Sequence, residues 1–301
     1  MPWSVRIRNR IKISMNVDEK ILNKDKSNKF DRGVSLLSWA YNEQENIADF
    51  LERAIKLMEA SVDDYEIILI DDGSKDKTYE IAKEFQQHCP NLKIFRNEKN
   101  MNVGYSSQRA IKLASKEFLF WQTVDWSYDI SNVRLYLEYL KEFDIVQGVR
   151  REPVKVKIKL LKPFLIIPKL LGIKHLTRRS DTVSKAVISV INYVLIRIFF
   201  RIPLSDFQNV TFYPTKWIQS LRYESNSSFS SPESLIKAYW SGMSMKEVPI
   251  SFIPRKAGGA KGTKIKSIFN SVSDILKLWF FWVILGRRGK IKKGNIVRLN
   301  S

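Results

Sequence analysis

Three short segments combine residue types that can do chemistry: Tyr41-Asn42-Glu43, Asp71-Asp72-Gly73-Ser74 and Thr123-Val124-Asp125. In the second, the apolar run Ile67 to Ile70 delivers two adjacent carboxylates and a glycine turn. Asp71 and Asp72 can accept hydrogen bonds from a base edge or from ribose hydroxyls, and Ser74 or Asp76 can cap a following helix. A plain capping turn uses the same residues. Tyr41 can stack on a nucleobase and Glu43 can accept from a base or a ribose, but the tripeptide serves equally well as a cap. Asp125 is a candidate ligand for Mg²⁺ or Mn²⁺, with Asp129 as a second. Hard cations of this kind take one or two carboxylates together with substrate phosphates and water. Further along, Arg255, Lys256, Lys261 and Lys264 punctuate a glycine-rich stretch. Such a loop can close over a diphosphate and neutralise a leaving group; the plain alternative is a solvated run of charge.

The elements that must position these groups follow from hydropathy patterning. Residues 34–40 (VSLLSWA) and 65–70 (YEIILI) are short apolar runs that predict buried strands. Between them, residues 46–60 carry apolar side chains at helical spacing. Helices are further expected at 78–88, 106–114 and 132–142, and strands at 91–95, 118–121 and 144–149. Strands alternating with helices predict crossover connections and a mainly parallel α/β sheet. In such sheets ligands bind beyond the carboxyl ends of the strands. All three chemical segments directly follow an expected strand.

The second half differs in character. Residues 187–200 and 275–285 are strongly apolar but shorter than the roughly 20 residues a spanning helix needs. Flanked by Lys or Arg, they suit helices lying in a membrane interface, with core helices as the alternative. The formal net charge of the 301-residue chain is +20, and it is unevenly spread. Residues 151–180 hold nine Lys or Arg against one acid, and residues 254–301 hold twelve against one, whereas residues 31–150 carry no basic excess. Nucleic acid, an anionic membrane surface or phosphorylated small molecules could each answer such an excess. No nucleic-acid-binding signature accompanies it, so nucleic acid is not expected as a partner. A single cysteine, Cys89, excludes an internal disulfide and points to a reducing compartment. No secretory signal is expected, because no long apolar run follows the basic first residues.

In order and spacing, the three strand-end segments resemble family 2 glycosyltransferases of the GT-A fold. Asn102-Val103-Gly104 is similar to that family's Asn-X-Gly segment, while Thr123-Val124-Asp125 lacks the first acid of its Asp-X-Asp. Asp206-Phe207-Gln208-Asn209-Val210-Thr211-Phe212 resembles the Asp-X-Gln-Ser-Gly-Phe segment of the dolichyl- and polyprenyl-phosphate branch, with Val210 at the glycine. Glu233-Ser234-Leu235, Glu247-Val248-Pro249-Ile250 and Arg255 to Lys261 are similar to the same branch's ending, with Ala260 at a serine. The resemblance covers roughly residues 33–262.

The resemblance implies a nucleotide diphosphate sugar donor, a divalent metal (Mg or Mn) and inversion at the anomeric carbon. By position, Tyr41, Glu43, Asp71 and Asp72 contact the donor, Asp125 binds the metal, and Arg255 and Lys261 cover the phosphates. Gln208 and Asp206 orient the acceptor or the metal site. A polyprenyl or dolichyl phosphate acceptor needs no strong base; a hydroxyl on a glycan or glycolipid needs one, for which Asp206 and Glu233 are the candidates. A third alternative is a degenerate, non-catalytic GT-A scaffold. The expected organisation is a basic arm over residues 1–30, a GT-A domain over 31–262 (donor half 31–150, acceptor half 151–262), and a basic amphipathic tail over 263–301. The expected location is cytoplasmic, peripheral at the inner face of the membrane.

Overall fold

The computed structural model describes residues 29–150, 183–207, 209–225, 227–251, 253, 265–287 and 294–298, with only the backbone path for 183–191 and 265–269. Most of the expected arm, the basic segment 151–180, Gln208, Arg255 and Lys261 lie outside the described residues.

One eight-stranded sheet organises the chain, in the order β3-β2-β1-β4-β6-β5-β7-β8. Its strands are β1 (Val34–Ala40), β2 (Tyr65–Asp71), β3 (Leu92–Arg96), β4 (Phe118–Trp121), β5 (Ile145–Arg150), β6 (Thr211–Pro214), β7 (Met245–Ile250) and β8 (Ile296–Arg298). β1 pairs in parallel with both β2 and β4, and β2 with β3. The short β6 is antiparallel to both β4 and β5 and joins the two halves of the sheet. β7 runs parallel to β5, and β8 parallel to β7.

Among the described residues eight α-helices cover the sheet: α1 (Ile47–Ser61), α2 (Thr78–His88), α3 (Asn102–Leu113), α4 (Val133–Tyr139), α5 (Val183–Phe200), α6 (Thr215–Ser220), α7 (Ser230–Trp240) and α8 (Ile265–Trp279), the last continued by a π-helical turn, Phe280–Ile284. Alternate strand residues divide between two cores, as a pleated sheet requires. Leu36, Ile67, Leu69, Phe118 and Phe120 pack with α1 and α4 on one face. Leu37, Ile68, Ile70 and Leu119 pack with α3, α5, α7 and α8 on the other. Every residue of β2 is buried, which is why its sequence reads as a continuous apolar run rather than an alternation.

Packed residues occur on both sides of the expected domain ends at 31 and 262. Phe30, placed in the arm, is buried, and its N–H donates to the Ser61 carbonyl at 2.8 Å. Within the expected tail, Ile275, Leu278 and Trp282 are buried in the second core, and β8 extends the sheet. No helix among the described residues is long and apolar enough to cross a membrane.

The connection from β2 to β3 moves outward along the sheet, whereas that from β3 to β4 returns to the other side of β1. The carboxyl ends of β2, β1 and β4 are thus neighbours at the point where strand order reverses, the position where open α/β sheets bind ligands.

Candidate active site

The loop after β1 is stitched to the loop after β2. The Asn42 N–H donates to Ser74 Oγ at 2.9 Å, and Asn42 Oδ1 accepts from the Lys75 N–H at 2.8 Å. The Glu43 N–H donates to Thr78 Oγ1 at 2.8 Å. Asn42 has φ +51°, the left-handed region that asparagine tolerates better than most residues. Glu43 starts α1: its carbonyl accepts the N–H groups of Asn46 and Ile47, and its Oε2 accepts from Asn46 Nδ2 at 2.8 Å.

Asp71 and Asp72 end β2 in different roles. Asp71 is fully buried, accepts the Ser74 N–H, and pairs with the Arg96 guanidinium at 3.0 Å. Burial pushes its carboxyl above the usual range, and Ser74 and Arg96 oppose that shift. Asp72 takes three donors on Oδ1: Asn97 Nδ2 at 2.7 Å, the Met101 N–H at 2.9 Å and Ser106 Oγ at 2.9 Å. Arg109 in turn donates to Asn97 Oδ1. Among the described residues Oδ2 of Asp72 receives no donor, so the carboxylate is oriented through one oxygen.

These loops bound a cleft of about 630 Å³ whose lining includes Tyr41, Ser74, Lys75, Arg96, Asn97 and Lys99. Gly73, at φ +72°, makes the cleft possible. A Cβ there would stand 2.5 Å from the Lys99 carbonyl carbon and 2.9 Å from the Asn100 nitrogen. Gly73→Ala therefore combines left-handed strain, of about 1–3 kcal/mol, with displacement of the segment that supplies the Met101 N–H to Asp72. The expected outcome is a lower melting temperature together with loss of nucleotide-induced stabilisation in a thermal-shift assay. Gly286→Ala is the control: its φ is +66°, but an added Cβ meets nothing within 4 Å. Equal nucleotide responses from the two variants would remove the close-approach argument.

On the other side of β1, residues 122–129 form a braced loop. Gln122, buried, donates through Nε2 to the Tyr128 carbonyl at 2.7 Å and accepts the Thr123 N–H at 2.9 Å. Thr123 Oγ1 accepts the Ser127 N–H at 3.2 Å, and the Thr123 carbonyl accepts the Trp126 N–H at 2.9 Å. Thr123 thus closes the turn that displays Asp125. Asp125 is half-buried, and Asp129 Oδ1 accepts the Ser131 N–H. Among the described residues no three acid, His or Cys side chains gather as a metal cluster. One half-buried carboxylate suits a cation that arrives with a diphosphate and completes its shell with phosphate oxygens and water, and it does not suit a preformed cage.

The same loop touches the end of β7. The Asp129 N–H donates to the Ser251 carbonyl at 3.0 Å, and the Ile253 N–H donates to the Ser127 carbonyl at 2.9 Å. The chain therefore enters the stretch holding Arg255 and Lys261 from a point hydrogen-bonded to the Asp125 loop.

The remaining candidate carboxylates are enclosed. Asp206 is fully buried in a two-point pair with Arg150, with Nε–Oδ2 at 3.0 Å and a second contact to Oδ1 at 3.1 Å. It also accepts the Phe207 N–H at 2.8 Å and Asn209 Nδ2. Burial works to lower the Arg150 pKa; Asp206 and the Tyr128 hydroxyl more than offset it, and the net shift is upward. Glu233, at the start of α7, is fully buried as well. Its Oε1 accepts Lys237 Nζ at 2.6 Å and the Glu224 N–H at 2.9 Å, and its Oε2 accepts the Ser225 N–H at 3.0 Å. Burial raises its carboxyl above the ordinary range, against the pull of Lys237. The strand-end residues Tyr41, Asp71, Asp72 and Asp125 thus share one edge of the sheet, while Asp206 and Glu233 each sit inside a closed set of partners. Reading the sequence alone missed Arg96, Asn97, Ser106 and Arg150. Arg96 and Arg150 had a signal, each being the last residue of a strand.

The family model described as glycosyl transferase family 2 matches residues 35–188. A glycosyltransferase of Haloferax volcanii, AglD, is 24% identical over 254 residues, covering 82% of this chain and 37% of that protein. The dolichyl-phosphate beta-glucosyltransferase ALG5A of Trichomonas vaginalis is 26% identical over 145 residues, covering 44% of this chain and 45% of that protein. The chain spans less than half the length of these two relatives. Among solved structures, the mannosyltransferase PcManGT of Pyrobaculum calidifontis, in complex with GDP-Man and Mn²⁺, superposes with a TM-score of 0.50 at 14% identity. That likeness covers 93% of this chain and 72% of PcManGT, and it agrees with the sheet order in giving a GT-A-type fold. From the family match over residues 35–188, more than half of its length, the chain belongs to glycosyl transferase family 2.

Proposed function

We propose that the protein is an inverting glycosyltransferase that moves a sugar from a nucleotide diphosphate sugar to a polyprenyl or dolichyl phosphate. The observation that carries the donor side is the convergence of three loops. The Asp72 loop is fixed to the Tyr41 loop, the Asp125 loop lies across β1, and the chain leading to Arg255 and Lys261 starts from two backbone hydrogen bonds to residues 127 and 129. Tyr41 and Asp72 serve the nucleoside, with Asp72 Oδ2 accepting an N–H of the base. Asp125 holds a divalent cation at the diphosphate. That cation, when bound, neutralises charge building on the leaving group. Arg255 and Lys261 cover the phosphates from the other side.

The acceptor class rests on chemistry. A hydroxyl acceptor needs a base within reach. Both carboxylates considered for that task have their oxygens engaged inside the fold. A phosphate acceptor arrives already ionised, so positioning and electrostatic relief suffice. The naming of one relative as a dolichyl-phosphate glucosyltransferase supports the same class.

The test uses radiolabelled UDP- and GDP-sugars with a short-chain polyprenyl phosphate and Mn²⁺ or Mg²⁺. The expected product is an acid-labile, alkali-stable lipid that carries the label. Label appearing only on a glycan hydroxyl would overturn the acceptor class. Nucleotide-induced stabilisation without any transfer would reduce the chain to a binding scaffold.

A further inference from the structure

Seven large apolar side chains are well exposed among the described residues, and five of them lie together: Ile198 on α5, and Leu276, Phe280, Ile284 and Leu285 along α8 and its π turn. The two helices pack side by side, with the Phe199 ring stacked on Trp279 at 4.8 Å. Neither can roll its exposed face inward. Tyr193, Ile196 and Phe200 of α5, and Ile275, Leu278 and Trp282 of the α8 unit, already occupy the second core.

Leu276, Phe280 and Ile284 follow four-residue steps. On a 3.6-residue helix such steps drift steadily around the axis; the wider π turn over Phe280–Ile284 reverses that drift and keeps the three in one line. Arg201, Lys277 and Arg287 are exposed beside them. The acids in these stretches are withdrawn: Asp274 accepts Ser225 Oγ at 2.6 Å, and Asp206 is buried against Arg150.

We infer that this two-helix face seats the protein on an anionic lipid bilayer, with Leu276, Phe280, Ile284 and Ile198 among the acyl chains and Arg201, Lys277 and Arg287 on lipid phosphates. An apolar line rimmed by cations is what an interfacial helix presents, and the exposed acid next to this unit, Glu224, is neutralised by Lys237 at 3.4 Å. A symmetric pair of chains would set the same cations against each other across its two-fold axis, which argues against a second copy as the occupant.

The face is wired to the candidate site. Trp282 Nε1 donates to Glu224 Oε1 at 3.0 Å, and Asp274 holds Ser225, whose carbonyl accepts Gln108 Nε2 of α3 at 3.1 Å. The same helix α3 carries Ser106, the hydroxyl that orients Asp72. Seating does not depend on the donor chemistry; only its consequence for transfer rests on the proposed function.

The experiment is co-sedimentation of the 301-residue chain with phosphatidylcholine vesicles, with and without phosphatidylglycerol, at low and high salt. Wild type is expected to bind the anionic vesicles, and more weakly as salt rises. The double variant F280S/I284S is expected to bind them about tenfold more weakly, with an unchanged far-ultraviolet spectrum and melting temperature. L276S is a second, single-site check with the same sign. Unchanged vesicle binding by both variants would place the attachment elsewhere and overturn the inference. So would absent wild-type binding, or a wild-type dimer in sedimentation velocity that F280S/I284S abolishes. With a water-soluble short-chain acceptor the double variant should transfer like wild type, and with vesicle-embedded acceptor it should lose rate. Vesicle binding by a wild type that transfers to no acceptor would sink the proposed function and leave the seating standing.

Discussion

Asp125→Asn is expected to lower sugar transfer on the order of 10²–10³-fold, the scale found when one preorganised electrostatic contact to a developing charge is removed. The substitution keeps the side chain's shape and removes its charge. Asp125 is half-buried on a loop braced by other residues: Gln122 to the Tyr128 carbonyl, Thr123 to the Ser127 N–H, and two backbone bonds to residues 251 and 253. None of those bonds uses the Asp125 carboxylate, so they survive the substitution, and the melting temperature, measured alongside, separates a folding effect from a catalytic one. Nucleotide binding without metal should survive, because Asp72 follows β2, across β1 from the Asp125 loop, and Tyr41 follows β1 itself. What should vanish is the extra stabilisation that Mn²⁺ adds to a bound nucleotide diphosphate, since linkage reports the coupling directly. Transfer at the wild-type rate would remove Asp125 as the metal ligand. A rate loss with an intact metal-dependent shift would move Asp125 from metal binding to acceptor positioning.

Thr123 illustrates how far the sequence could go. Set against an Asp-X-Asp pattern it registers as a missing acid; in the fold it closes the turn that presents the acid remaining. The first five strands were legible, β1 and β2 most plainly, because β2 is buried on both faces and β1 nearly so, which writes them as apolar runs. β6, β7 and β8 were not read as strands. Their identity as strands comes from partners distant in sequence. Helix α3 begins at Asn102, four residues earlier than hydropathy indicated, with Asn102 at φ +70° and no side-chain cap. Its first turn is held by Asp72, which binds the Met101 N–H and Ser106 Oγ, and no local propensity records that contact. The strand-end carboxylates were readable because a strand followed by a turn is a local pattern. The enclosure of Asp206 and Glu233 was not, because a carboxylate in the sequence does not disclose its partners. Arg150 lies 56 residues from Asp206, and the Glu224 and Ser225 N–H groups reach Glu233 through a loop.

Asp206→Ala is expected to cost about 3–5 kcal/mol, because it strands the buried Arg150 guanidinium without its counter-charge. Both contacts of that pair are within 3.1 Å, the Arg150 side chain is 5% exposed, and Asp206 is fully buried. A guanidinium keeps its charge at any accessible pH, so Arg150 cannot escape by losing a proton. The loss should appear as a lower denaturation midpoint in urea, accompanied by loosening of residues 207–209, whose Phe207 N–H and Asn209 amide both rest on the missing carboxylate. The double variant R150M/D206L discriminates the cause. Apolar replacement of a whole buried pair is often neutral, so the double variant should be markedly more stable than D206A alone, with a coupling of several kcal/mol in the cycle. Additive losses would mean that the two residues act separately. Asp206→Asn addresses catalysis. If Asp206 served as a base for a hydroxyl acceptor, the asparagine variant would lose transfer far beyond its loss of folded protein. If it organises the loop, rate and midpoint should fall together, and a phosphate acceptor should still be used by the fraction that remains folded.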